Sequence, residues 1–159
     1  MRAWHLPAAS GRNRLSGAFE EQWTDEHGST VLKASIQLEG QFWPRSKEYK
    51  EKNLLVDFSV ALPQVLLRKE SVELLISHLE RWLNERKEIS IELGDCERND
   101  QSFHVSFVDS SGSKSTLEKT TCTIHYSGGV FAHGEWSFVV DHTCIDIFLR
   151  ELQASLETK

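Results

Sequence analysis

Cysteine is scarce in this chain of 159 residues, occurring only as Cys96, Cys122 and Cys144. An odd count with no CxxC pair and no short Cys/His spacing argues against both a disulfide framework and the usual zinc patterns. No apolar run approaches the roughly 18 residues that cross a bilayer. The opening MRAWHLPAASGRNR lacks the apolar centre of a secretory signal. There is no N-x-S/T sequon. Basic residues are outnumbered by acidic ones, 18 to 24, giving a net charge of -6. That balance is unfavourable for generic nucleic-acid binding, which needs clustered Lys and Arg against phosphate. These absences lead to the expectation of a cytoplasmic protein with no nucleic-acid and no membrane partner.

Familiar catalytic and nucleotide signatures are missing too. Ser111-Gly112-Ser113-Lys114-Ser115 lacks the first glycine and the spacing of a phosphate-binding loop, and no G-x-G-x-x-G, H-E-x-x-H, EF-hand loop or G-x-S-x-G elbow occurs. His133-Gly134-Glu135 imitates the H-x-E of zinc deaminases without the required P-C-x-x-C. No cofactor, metal ion or catalytic residue is therefore assigned.

What is present is ordinary globular composition, 39% apolar and 26% charged, in a chain long enough to bury a core without staples. Residues 1–14 show no sustained period and are expected to be loosely ordered; 15–159 are read as a single α+β domain. Leu15 to Trp23 make a passable alternation, and Asp25-Glu26-His27-Gly28 supplies a turn. Leu32, Ala34, Ile36 and Leu38 alternate with polar neighbours, as do Leu54, Val56, Phe58, Val60 and Leu62 until Pro63, which is expected to end its strand. Short strands follow around Ile91, Val105, Ile124 and Phe138, joined at 97–100, 110–113 and 127–129.

Two stretches change to a helical period. Val72, Leu75, Ile76, Leu79, Trp82 and Leu83 form one stripe between Lys69 and Arg86, with Leu74 off it. Ile145, Phe148, Leu149, Leu152 and Leu156 form the other, opened by Thr143 and Asp146 as a capping box. The expected architecture is a mainly antiparallel sheet of six or seven strands with two amphipathic helices packed on one face.

The hairpin near Gly128 allows a register argument. A loop of Ser127-Gly128-Gly129 pairs Val130 with Tyr126, Ala132 with Ile124 and Gly134 with Cys122, keeping apolar residues on one face. The opposite face then carries His125 across from Phe131, Thr123 across from His133 and Thr121 across from Glu135. His104 and Asp57 share the outward parity. Trp43, beside Pro44 in the longest loop, is a candidate binding anchor. His104, His125, His133, Glu135, Asp57 and Trp43 make up the candidate partner-binding face. The competing readings are an acid/base or metal site, and a solvated surface. Cys144, in the first turn of a helix, is a weak nucleophile candidate and more simply an apolar filler.

Leu38-Glu39-Gly40-Gln41-Phe42-Trp43-Pro44, Asn53-Leu54-Leu55-Val56, and Val65-Leu66-Leu67 running into a helix with Leu79, Trp82 and Leu83 resemble WapI-type bacterial immunity proteins, over residues 31–156. The resemblance implies a non-catalytic protein that neutralises a toxin by binding it. The alternatives are a small enzyme or metal-dependent ligand binder using the His/Glu cluster, and a structural or assembly module.

Overall fold

The computed structural model describes residues 2–94, 101–109, 120–129 and 132–157. The connections expected at 97–100 and 110–113, Cys96, and the pairings of Val130 and Phe131 lie outside these residues.

Strands β1 (Arg2–Pro7), β2 (Arg14–Thr24), β3 (Thr30–Phe42) and β4 (Val56–Arg68) form an antiparallel meander in that spatial order. Helix α1 (Lys47–Glu51) lies between β3 and β4, and α2 (Lys69–Glu85) follows β4. A second meander, β5 (Ile89–Glu92), β6 (Gln101–Asp109), β7 (Thr120–Gly128) and β8 (Ala132–Val140), is followed by α3 (His142–Glu157). The halves repeat one plan, four antiparallel strands and then a long helix, without repeating sequence.

The protein is thus α+β, but its strands divide into two four-stranded sheets rather than one of six or seven, and the described residues hold three helices rather than two. The division falls where α2 replaces a tight turn between β4 and β5, because short connections are what keep antiparallel strands adjacent. Among the described residues, ladder pairing between the sheets shrinks to one bridge, Leu67 with Gly94, beside which the Arg68 N–H donates to the Leu93 carbonyl at 2.8 Å. Gln101 clasps the same corner: its Oε1 accepts from the Leu66 N–H at 2.8 Å, and its Nε2 donates to the Gln64 carbonyl at 3.3 Å and the Tyr126 hydroxyl at 3.1 Å. Elsewhere the Ala9 N–H donates to the Val139 carbonyl at 2.8 Å.

One buried cluster draws on both sheets and both long helices. The stripe of α2 is buried at Val72, Leu75, Ile76, Leu79 and Trp82, and Leu74 is half exposed, as the period requires. Phe148 of α3 packs edge-on against Trp4 at 5.8 Å and near Phe107 at 6.5 Å, touching a strand from each sheet.

Three local expectations change. The segment 1–14, expected to be loose, contains β1, whose Trp4 and Leu6 are among the buried core residues. Its alternation is too short to register as a period, yet Trp4 fits over Gly17, where any added Cβ would collide with the indole. Pro63 does not end β4. It occupies a bulge, between the Ala34–Val65 and Ile36–Leu62 pairs, where a missing N–H breaks no ladder bond. Finally, α3 is capped by Asp141, whose Oδ1 accepts from the Cys144 N–H at 2.9 Å, rather than by Thr143, which lies within the helix.

The β2–β3 turn forms where the sequence places it. Asp25 Oδ1 accepts from the N–H groups of His27 and Ser29, both at 2.9 Å, and Gly28 takes φ +81°.

Candidate functional site

The outer face of the second sheet holds four of the six candidate residues. The β7–β8 register pairs Gly128 with Ala132, Tyr126 with Gly134, Ile124 with Trp136 and Cys122 with Phe138. It therefore differs by four residues from the register expected on the sequence, in which Ala132 faced Ile124 and Gly134 faced Cys122. An even slip keeps every side chain on its face, so the alternation test could not detect it. Packing selects the observed register, because it sets the large Trp136 and Phe138 against Ile124 and Cys122 where the alternative offered alanine and glycine.

The corrected register aligns the polar groups. Ser127 faces His133, Thr123 faces Ser137 with their hydroxyls 2.9 Å apart, and His125 faces Glu135. On the other flank His125 faces His104, and His104 faces Glu92. A row Glu92, His104, His125, Glu135 thus crosses all four strands, with Cβ atoms of direct neighbours about 5 Å apart.

The members of this row are not equivalent. His104 Nε2 lies 2.9 Å from the Ser90 hydroxyl. Glu92 is spent on structure: its carboxylate accepts from the Phe103 N–H at 2.7 Å, the Gly94 N–H at 3.1 Å and the Ser102 hydroxyl. Glu135 and His133 are exposed. Among the described residues no three histidine, cysteine, aspartate or glutamate side chains are grouped so that they could hold a metal ion. The face presents hydrogen-bond donors and acceptors to whatever approaches it, without a converging reactive group.

Asp57 and Trp43 lie elsewhere, Asp57 on β4 of the first sheet and Trp43 just past the end of β3. β2 begins opposite Glu39, so the pairs Gly40–Phe58, Gln41–Asp57 and Phe42–Val56 project beyond it as a two-stranded arm tipped by α1. Val56 and Phe58 keep the parity of Val60 and Leu62, which border the core, but they are 37% and 36% exposed. The strand simply runs past the end of the helix layer. Of eleven exposed large apolar side chains among the described residues, seven fall between Phe42 and Phe58, Trp43 among them. Gly40 lets the Phe58 ring lie over it, since an added Cβ would collide with that ring and with Asn13.

A further pair was not visible in the sequence. His5 on β1 and Glu151 on α3 meet at 2.6 Å between Nδ1 and Oε2, and the His5 backbone N–H donates to the same carboxylate at 2.9 Å. They border an open cleft of about 530 Å³, shared with Arg14, Ser16 and Gln37. A separation of 146 positions carries no sequence signal, and the strand holding His5 was itself unrecognised. Together with the Ser155 hydroxyl, which donates to the Ala3 carbonyl at 3.4 Å, this contact fastens α3 along the free edge of β1.

The cysteines offer no activated thiolate among the described residues. Burial pushes the Cys122 thiol far up, and burial also raises that of Cys144. Asp141 is shifted the other way, chiefly because it accepts the Cys144 backbone N–H.

No protein-family model, curated protein or solved structure matches the chain. No helix among the described residues is long and apolar enough to cross a membrane.

Proposed function

We propose that this chain is a non-catalytic protein-binding domain, and that the tip of its arm, around Phe42, Trp43, Tyr49 and Leu54, inserts into the partner. The observation that carries this reading is the concentration of exposed apolar side chains on one projecting element, seven of the eleven among the described residues. Folded domains rarely expose such a patch without using it, and a tryptophan within it is the type of side chain that anchors an interface. The polar row His104, His125 and Glu135 adds directional hydrogen bonds suited to specificity. The resemblance to WapI-type immunity proteins favours a toxin as the partner and the bacterial cytoplasm as the setting.

The test is capture from native lysate with three baits: the unaltered chain, Trp43→Asp, and His125→Ala. A stoichiometric protein should be retained by the first, lost by the second and held more weakly by the third. If a gene adjoining this one encodes a toxin, the purified toxin should bind with the same order of affinities. Equal retention by the unaltered chain and Trp43→Asp would remove the basis for the proposal.

A further inference from the structure

We infer that the outer edge of β4 between Val56 and Leu62 pairs antiparallel with the same strand of a second copy of this chain, giving a two-fold dimer centred on Ser59. The inference rests on reading the arm as an interface and names what occupies its edge, leaving the tip to another partner.

The outer strand β1 and the C-terminal end of β4 are covered. α3 closes β1 through Glu151 and Ser155. Gln101 and Leu93 close β4 from Gln64 to Arg68. Between Val56 and Leu62, no described residue outside the sheet hydrogen-bonds to the backbone. This segment also lacks the devices that normally blunt an edge: it contains no lysine, its single charge is Asp57, and Pro63 and its bulge come only afterwards.

The strand is complementary to itself. Pairing about Ser59 sets Val56 opposite Leu62, Phe58 opposite Val60, and Asp57 opposite Ala61, so apolar meets apolar and the faces agree. A slip of one residue would set apolar against polar. The two Asp57 carboxylates are offset by four residues, about 13 Å along the strand. The bare Val56 and Phe58 of each copy then lie beside the Leu62 and Val60 that border the core of the other.

Charge favours the same arrangement. Between Gln41 and Leu55 the arm carries Arg45, Lys47, Lys50 and Lys52 against Glu48 and Glu51, a net +2; since the whole chain is -6, the remainder is -8. Antiparallel pairing runs each basic tip towards the acidic body of the other copy. The edge and its side chains bury roughly 400 Å² per copy, about half of what a standard interface buries, so the association is a weak one, to be sought in the micromolar range. Because the two-fold pairing uses the same β4 edge of both copies, it closes at two and does not continue into a fibre.

Sedimentation equilibrium of the full chain from about 1 to 200 µM spans that range. A monomer–dimer equilibrium is expected, with Phe58→Lys and Val56→Glu each weakening it tenfold or more while the dilute monomer keeps the circular dichroism spectrum of the unaltered fold. In a Cys96→Ser background, oxidised Ser59→Cys should give a covalent dimer and Asp57→Cys should not, because only residue 59 faces itself. A monomer throughout, a dimer that neither charged variant weakens, or equal cross-linking at both positions would overturn the inference. A monomer that still captures a partner through Trp43 overturns this pairing alone, whereas a dimer with no such partner overturns only the tip reading.

Discussion

Asp141 shows how one side chain sets a boundary that pattern reading misplaces by two residues. Thr143 and Asp146 have the spacing of a capping box, but Asp141 lies one position before the helix, and its carboxylate reaches the Cys144 N–H. That bond lowers its pKa below the ordinary aspartate value of about 3.9. A lowered folded-state value means the stabilisation is complete above the unfolded pKa and is lost as pH falls through the folded one. Asp141→Ala should therefore cost about 1 kcal/mol at pH 7, and the gap from the unaltered protein should narrow as pH falls below the ordinary aspartate range, about 4. Asp141→Asn, which keeps a neutral acceptor, should lose less at pH 7 and show no such narrowing. Urea unfolding across that range measures both, and a gap independent of pH would mean that the carboxylate is not the cap.

At the scale of the element, alternation located β2, β3, β4 and the strands of the second sheet because a half-buried strand must repeat every two residues. It missed β1, where Trp4 and Leu6 alone carry the buried face. β1 is held from both sides, by β2 along its length and by α3 through Glu151 and the Trp4–Phe148 contact. Trp4→Ala should consequently destabilise the protein by about 3–5 kcal/mol, the usual cost of emptying an aromatic core site. A loss under about 1 kcal/mol, the scale of a surface change, would show that this strand is dispensable. β4 teaches a different lesson. Its apolar parity is right from Val56 to Leu62, yet parity says which way a side chain points and nothing about whether another layer is there to meet it.

At the scale of the whole molecule, the decisive feature is the corner where β4 meets β5. Among the described residues one bridge and the Gln101 amide join the sheets at this corner, with the Ala9–Val139 hydrogen bond as a further link elsewhere. Gln101→Ala leaves the half-buried Leu66 N–H without its acceptor, so a cost of about 1–3 kcal/mol is expected in thermal or urea unfolding. Amide exchange at Leu66 and Arg68 should accelerate together, because the corner opens as a unit. Unchanged exchange there would locate the clasp elsewhere. The make-up of the candidate face depended on this corner as well. His104, His125, His133 and Glu135 share the second sheet, but Asp57 shares their parity on the other sheet and so lies apart from them.

The amino-acid sequence by itself determined the α+β class, the two amphipathic helices, the outward parity of the histidines and the exposed position of Leu74, because each follows from local periodicity. Tertiary structure decided the division into two sheets, the even slip that brings His125 opposite Glu135, the burial of Trp4 and the exposure of Val56 and Phe58. Those outcomes depend on what lies beside a strand or above it, and a period of two is the same whether the neighbouring layer is present or absent.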